Sequence, residues 1–246
     1  MIPARYASTR FPAKIIAAET GMPLVQHVVD QVRKCKRVRD VIVAVDDQRI
    51  VDALKPFDTK CVMTDPKHPS GTDRIAEVVT GLTAGIIVNV QGDEPEIEPA
   101  IVDRLIADIE SSGARMATVA TPFRPPMDPR DPNLVKVVLD QRNCAMYFSR
   151  LPIPYHRDPT SAPPTYYLHV GIYAYQRRFL LEVAGWKPTP AELAEKLEQL
   201  RVLEHGDEIL VTIADRSTGG IDTPEQYVQF VKRYEEMSHK GTKGTK

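Results

Sequence analysis

Ten residues near the start of the chain, Arg5-Tyr6-Ala7-Ser8-Thr9-Arg10-Phe11-Pro12-Ala13-Lys14, carry two guanidinium groups and one ammonium. Arginine offers planar bidentate donors and lysine a compact charge, a combination suited to a polyphosphate. A solvated basic loop is the plainer alternative, because charge runs usually only hydrate a face. Gln91-Gly92-Asp93-Glu94-Pro95 follows an apolar run at residues 86–90 that reads as a buried strand. A carboxylate at a strand's carboxyl end stands where open α/β sheets take ligands. One or two carboxylates, completed by substrate phosphates, are the usual ligands of Mg2+. The alternative here is an Asp-containing turn ahead of the next helix. Gly219-Gly220-Ile221-Asp222 precedes the last helical run; if Thr223 caps that helix, Asp222 is free to act elsewhere.

Weaker signals lie between these segments. Ser70-Gly71-Thr72-Asp73-Arg74 opens a helix whose amides suit an anion or polar ligand, or is simply a cap. His169 and Tyr173, four apart on an expected strand, face one side. Glu198-Gln199, on an otherwise Leu-striped helix, is usually ordinary solvent-facing polarity. The glycine loops of P-loop enzymes and dinucleotide folds, and the G-x-S-x-G elbow, are absent from the sequence.

The elements that must hold these residues follow from the apolar pattern. Strands are expected at residues 41–45, 60–63, 86–90, 115–120, 135–139, 145–148, 166–175 and 208–213. Asp46-Asp47 can cap a helix over residues 48–54, and residues 75–82 and 101–109 have helical spacing. Leu193, Leu197, Leu200 and Leu203 suggest one striped helix ended by Gly206, and Thr223-Pro224-Glu225-Gln226 reads as a capping box. Residues 151–164 are expected to be a long loop, and the tail from residue 238 to be disordered. Alternating strands and helices imply an α/β fold: a Rossmann-like mixed, mostly parallel sheet flanked by helices, in one domain over residues 1–237.

Composition narrows the function classes. The 246 residues carry 32 basic and 33 acidic side chains, a net charge of −1, which argues against a general nucleic-acid binder. No apolar run is long enough to span a bilayer and no secretory signal opens the chain, so no membrane partner and a cytoplasmic location are expected. Three widely spaced cysteines fit reduced thiols better than a disulfide frame or a zinc site.

Taken in order, the segments resemble the 3-deoxy-manno-octulosonate (Kdo) cytidylyltransferases, or CMP-Kdo synthetases. The family's I-P-A-R-[YF]-x-S-[ST]-R-[LF]-P-[GA]-K lies at residues 2–14, its SGT-acid-R at 70–74 and its V-N-[VL]-Q-G-D-[EQ]-P at 88–95. Y-F-S-R lies at 147–150, H-[LV]-G-[IV]-Y at 169–173, L-E-Q-L-R at 197–201 and [IV]-D-T-P-E at 221–225, so the resemblance runs to about residue 233. It implies a nucleotide-diphospho-sugar transferase type of fold with a small dimerisation and sugar-binding insertion. The reaction it implies is CTP + Kdo → CMP-Kdo + diphosphate, for lipopolysaccharide assembly, in a homodimer. By the same resemblance Arg5, Arg10 and Lys14 bind the triphosphate, Asp93 and Asp222 hold Mg2+, and Ser70 and Arg74 lie near base and ribose. Gln91, Arg150, His169, Tyr173, Glu198 and Gln199 line the sugar pocket, and Lys14, Asp93 and Asp222 form the catalytic set.

Physical chemistry agrees with these roles. In-line displacement at the α-phosphorus needs charge neutralisation and alignment more than a protein nucleophile. Arg150 is the natural partner for a sugar carboxylate. Alternatives are the same chemistry on 8-amino-Kdo or, at a greater distance, a sialic acid, and a non-catalytic sugar-nucleotide-binding protein. Family members commonly have Gly where Ala13 stands; a positive φ there would cost Ala about 1 kcal/mol and shift Lys14. The family's first strand is nearly missing ahead of Pro3, so an additional apolar segment upstream of Met1 is expected. A segment around residues 166–175 is expected to supply the dimer face.

Overall fold

A computed structural model of the chain describes residues 1–158, 160–216 and 219–242, with side chains of the last helix described through residue 237. Two compact units interleave along the sequence. The first takes Met1–Val78, Val90–Pro99 and the described residues from 219 on; the second takes Val79–Asn89 and the described residues 100–216.

The first unit is built on a parallel sheet of β1 (Ile2–Ala4), β2 (Val43–Val45) and β3 (Cys61–Met63), in that order. Parallel neighbours need crossovers, and the helical periods supply them: α1 (Leu24–Arg33) between β1 and β2, and α2 (Gln48–Leu54) between β2 and β3. β1 and β2 are buried at every position, as a sheet covered on both faces requires. The Ile2 amide donates to the Ile42 carbonyl at 2.9 Å, and on the other side the Val90 amide donates to the Met1 carbonyl at 3.1 Å. Asp47 caps α2, its side chain accepting from the Arg49 amide, and α2 keeps the bounds that the sequence predicts. α3 (Gly71–Val79) begins at the expected Ser70 cap. The last helix, α8 (Pro224–Thr242), starts as a capping box: Gln226 Oε1 accepts from the Thr223 amide at 3.1 Å and Thr223 Oγ1 from the Gln226 amide at 3.3 Å. α8 is helical past Ser238, where the expected tail begins; residues 243–246 lie outside the described ones. Leu24, Ile221, Tyr227 and Phe230 form a core to which Phe11 adds its ring, so the basic loop is pinned from beneath.

The second unit holds a six-stranded mixed sheet in the order β7 (Ala145–Ser149), β6 (Lys136–Leu139), β8 (Tyr167–Gln176), β5 (Met116–Pro122), β9 (Leu210–Ile213). β8 is its axis. β5 runs antiparallel along one edge of β8, while β6 and β4 (Ile86–Asn89) share the other edge at its two ends. β5 and β9 pair in parallel, with α4 (Pro99–Ser112), α5 (Arg177–Ala184), α6 (Pro190–Glu195) and α7 (Leu200–Glu204) among the connections. Thr212 on β9 donates to Asp108 on α4 at 2.6 Å.

One expectation is corrected. The Leu-striped segment is two short helices, because Lys196 adopts φ 54° and ends α6 there, leaving Leu193 52% exposed. Gly206, at φ 82°, does follow the end of α7. Residues 167–176 form β8, paired along both edges, with six of its ten residues partly accessible.

Candidate active site

Three segments of the first unit meet at the carboxyl end of β1. The basic loop leaves β1 at Ala4; residues 91–93 are laid beside it by the Val90–Met1 hydrogen bond, and the Ile221 amide donates to the Asp93 carbonyl at 2.8 Å. Gly92 makes this approach possible, since a Cβ there would stand 3.0 Å from the Pro3 carbonyl oxygen and 3.1 Å from Ile15 Cδ1. The segments enclose a cavity of about 370 Å³ lined by Arg5, Arg10, Lys14, Ser70, Arg74, Gln91, Asp93 and Asp222. The sequence assigns the first five of these and the two aspartates to CTP and metal; Gln91, assigned to the sugar, lines the same cavity.

Lys14 is the centre of the charge arrangement. It is buried, and its Nζ donates to Asp93 Oδ2 at 2.6 Å and to the Ile221 carbonyl at 2.7 Å, with Asp222 Oδ1 3.5 Å away. Arg10 Nη2 donates to the same Asp222 oxygen at 2.8 Å. Thr223 does the capping and leaves the Asp222 side chain free for these contacts. Ala13, ahead of Lys14, has φ 55° and ψ 23°, the left-handed conformation that the family's Gly would suit. The neighbouring Glu94 carboxyl is pushed up to about 8 by burial, with the Asp93 charge adding to the effect, so it is neutral at pH 7 and brings no charge to the cluster.

The donor set fits a magnesium ion. Two carboxylates from separate segments converge within 3.5 Å of one cationic nitrogen. Among the described residues no group of three or more His, Cys, Asp or Glu could hold a metal. Two carboxylates beside a polyphosphate-sized cationic cavity match Mg2+, which takes few protein ligands and completes its shell with phosphates and water.

Also lining the cavity, Ser70 caps α3, its Oγ accepting from the Asp73 amide at 3.1 Å and donating to Asp73 Oδ2 at 2.7 Å. Arg74 is 4% exposed; its Nη1 donates to Thr64 Oγ1 at 2.6 Å and its Nη2 to Asp46 Oδ2 at 3.3 Å.

Arg150, His169, Tyr173, Glu198 and Gln199 belong to the second unit. The His169 and Tyr173 rings lie 5.5 Å apart on one side of β8, and Tyr173 Oη donates to Gln199 Oε1 at 3.2 Å. Thr118 Oγ1 lies 2.8 Å from the Ile172 carbonyl, 3.3 Å from the Val170 carbonyl and 3.1 Å from His169 Nε2. Burial drives the His169 pKa down to about 3, which keeps the ring neutral. Gln199 Nε2 is buried without a hydrogen-bond partner. An orphaned buried donor costs free energy that a bound acceptor recovers.

Arg150 departs from the simple picture of a waiting carboxylate fork. Its Nε donates to the Glu195 carbonyl at 2.7 Å, Nη1 to the Pro132 carbonyl at 2.9 Å and Nη2 to the Lys196 carbonyl at 3.4 Å. Two residues that the sequence reading did not single out hold it there. Glu195 accepts from the Arg150 amide at 3.0 Å and from Ser149 Oγ at 2.7 Å. Lys136, wholly buried, donates to the Arg150 and Asp131 carbonyls. A lysine inside an otherwise apolar strand was the available signal for Lys136.

Comparison with known proteins adds identity to this geometry. The cytidylyltransferase family matches residues 1–209. A 3-deoxy-manno-octulosonate cytidylyltransferase of Geobacter metallireducens is 46% identical over 243 residues, covering 95% of this chain and 96% of its own length. One from Solibacter usitatus is 43% identical over 226 residues, covering 92% and 89%. A solved CMP:2-keto-3-deoxy-manno-octonic acid synthetase complexed with CTP superposes with a TM-score of 0.90 at 38% identity, covering 96% of this chain and 97% of that one. A Leptospira borgpetersenii cytidylyltransferase shares the fold alone, with a TM-score of 0.61 at 16% identity.

Proposed function

The chain belongs to the 3-deoxy-manno-octulosonate cytidylyltransferase family, and from that membership we propose that it transfers the cytidylyl group of CTP to Kdo. The observation that carries the reading is the Lys14–Asp93–Asp222 cluster in a cavity lined by Arg5 and Arg10. The anomeric hydroxyl of the sugar attacks the α-phosphorus, the new C–O–P linkage forms, the α–β phosphoanhydride bond breaks, and diphosphate leaves while the hydroxyl proton is released to it or to solvent. Arg5, Arg10 and Lys14 bind the triphosphate and spread the charge that builds on the departing diphosphate. Asp93 and Asp222 would hold Mg2+, which supplies Lewis-acid neutralisation at the phosphoryl oxygens. Ser70 and Arg74 take the base and ribose end, and Gln91 faces the reacting groups from the same cavity.

The sugar set is Arg150, His169, Tyr173, Glu198 and Gln199. His169 presents a neutral imidazole and Gln199 an unpaired donor, a complement for sugar hydroxyls. Arg150 spends three of five guanidinium protons on carbonyls and keeps two for the sugar carboxylate. The assembly we propose is a cytoplasmic homodimer feeding lipopolysaccharide synthesis; no helix among the described residues is long and apolar enough to cross a membrane.

Diphosphate release from CTP and Mg2+, with Kdo, 8-amino-Kdo and a sialic acid offered in turn, tests the proposal. Kdo should give the highest kcat/KM. Preference for the amino sugar would move the assignment to that substrate, and release with none of the three would overturn it.

A further inference from the structure

The two acids at the end of β2 do different things. Asp47 caps α2 and grips Arg49, with Oδ1 to Nε at 2.8 Å and Oδ2 to Nη2 at 2.6 Å. That guanidinium lies 3.6 Å from the centroid of the Tyr6 ring. One side-chain cap is what a helix start uses, so α2 makes no demand on Asp46. The Asp46 side chain is 13% exposed and turned toward the cavity residues: Oδ1 accepts from the Tyr6 amide at 2.8 Å, and Oδ2 accepts from Arg74 Nη2 at 3.3 Å.

These two bonds reach two different segments that line the nucleotide cavity, the basic loop and the start of α3. Tyr6 follows Arg5 where the basic loop leaves β1, so its amide fixes the course of the chain toward Arg10 and Lys14. Arg74 is buried, and a buried guanidinium needs a counter-charge. Among the described residues Asp46 is the only carboxylate within ion-pair distance of it. Thr64 Oγ1, which donates to the Val45 carbonyl at 2.8 Å, completes the setting of Arg74.

We propose that Asp46 is a positioning residue that couples two segments of the nucleotide site, tethering the phosphate-binding loop through the Tyr6 amide and aiming the Arg74 guanidinium. The proposal rests on reading this cavity as the CTP site. A displacement of about 1 Å in either segment is enough to misalign an in-line transfer and cost about a hundredfold in rate.

The test uses the full chain and two halves of the substrate, cytidine and inorganic tripolyphosphate, each titrated by NMR. Arg74→Ala should weaken cytidine alone, and Lys14→Met tripolyphosphate alone. Asp46→Ala should weaken both by about tenfold, the loss of one charge-assisted hydrogen bond to each segment. Asp46→Asn keeps an oxygen for the Tyr6 amide and loses the charge facing Arg74, so cytidine should weaken by about tenfold and tripolyphosphate by less than about twofold. In both Asp46 variants the KM for the sugar acid should stay within about twofold of wild type, which a general loss of structure would not allow. If Asp46→Ala does not fold, Asp46→Asn decides alone. Unchanged cytidine binding in Asp46→Asn, with Arg74→Ala impaired, overturns the proposal. If Arg74→Ala and Lys14→Met disturb neither probe, the reading of the cavity fails, and the role of Asp46 falls with it.

Discussion

Lys14 reaches Asp93 and Asp222 from a backbone that Ala13 turns through φ 55°. That conformation costs an L-residue about 1–2 kcal/mol, partly offset because Gly loses more entropy on folding. Ala13→Gly should therefore raise the unfolding free energy by about 0.5–1 kcal/mol and leave CTP affinity unchanged. Urea unfolding checks it, and a destabilised variant would show that the Ala13 methyl contacts outweigh the strain. The two carboxylates are the second case at this scale. Asp93→Asn and Asp222→Asn should each lower turnover by about a hundredfold or more, because metal charge stabilisation is worth several kcal/mol. Circular dichroism should be unchanged, since Lys14 keeps the Ile221 carbonyl and one carboxylate in either variant. Wild-type turnover at saturating Mg2+ in either would remove that residue from the metal site.

At the scale of elements, Arg150 ties the end of α6 to residue 132 through the carbonyls of Pro132, Glu195 and Lys196. Arg150→Ala should do two things at once. The KM for the sugar should rise about ten- to a hundredfold while that for CTP holds, and the melting temperature should fall as the α6 end loses its donors. A lower melting temperature with an unchanged sugar KM would make Arg150 purely structural. Helix α1 carries a pH dependence. His27 packs edge-on against Phe230 and Tyr234 with its Nε2 2.7 Å from Thr20 Oγ1, and burial lowers its pKa to about 4, the Asp30 charge opposing. As pH falls through 6.5 the unfolded chain takes a proton that the folded chain refuses until about 4. Stability is thus fully present above about pH 6.5 and declines below it by up to about 1.4 kcal/mol per pH unit for this group. His27→Gln should flatten the urea-unfolding profile between pH 6.5 and 4; a profile parallel to wild type would clear His27.

For the whole molecule the open question is its association. β7 is the edge strand of the six-stranded sheet, and it and the residues after it expose Met146 (62%), Leu151 (70%) and Tyr155 (84%). A run of exposed large apolar side chains on a sheet edge is what soluble monomers avoid. The proposed homodimer would cover it. Light scattering at micromolar concentration should give twice the chain mass, and Met146→Lys with Leu151→Lys should halve it. A wild-type monomer would end the proposal, and a dimer untouched by the two substitutions would move the interface elsewhere.

Much of this protein was written locally. The basic loop, the Gln91–Pro95 turn and the Thr223–Gln226 box could be placed from sequence because caps, turns and strand ends depend on residues a few positions apart. The apolar pattern located α2 and, among the described residues, every strand except β1, whose three residues are too few to show a period. The break at Lys196 escaped it, since a Leu stripe reports which face is apolar and not where the backbone reverses. Only the tertiary structure decided what those pieces meet. Lys14 finds Asp93 79 residues away and Arg10 finds Asp222 212 residues away, through hydrogen bonds of β1 that no local pattern encodes. Asp46 and Asp47 are identical in type and adjacent in sequence; packing alone gives one to a helix and the other to Tyr6 and Arg74.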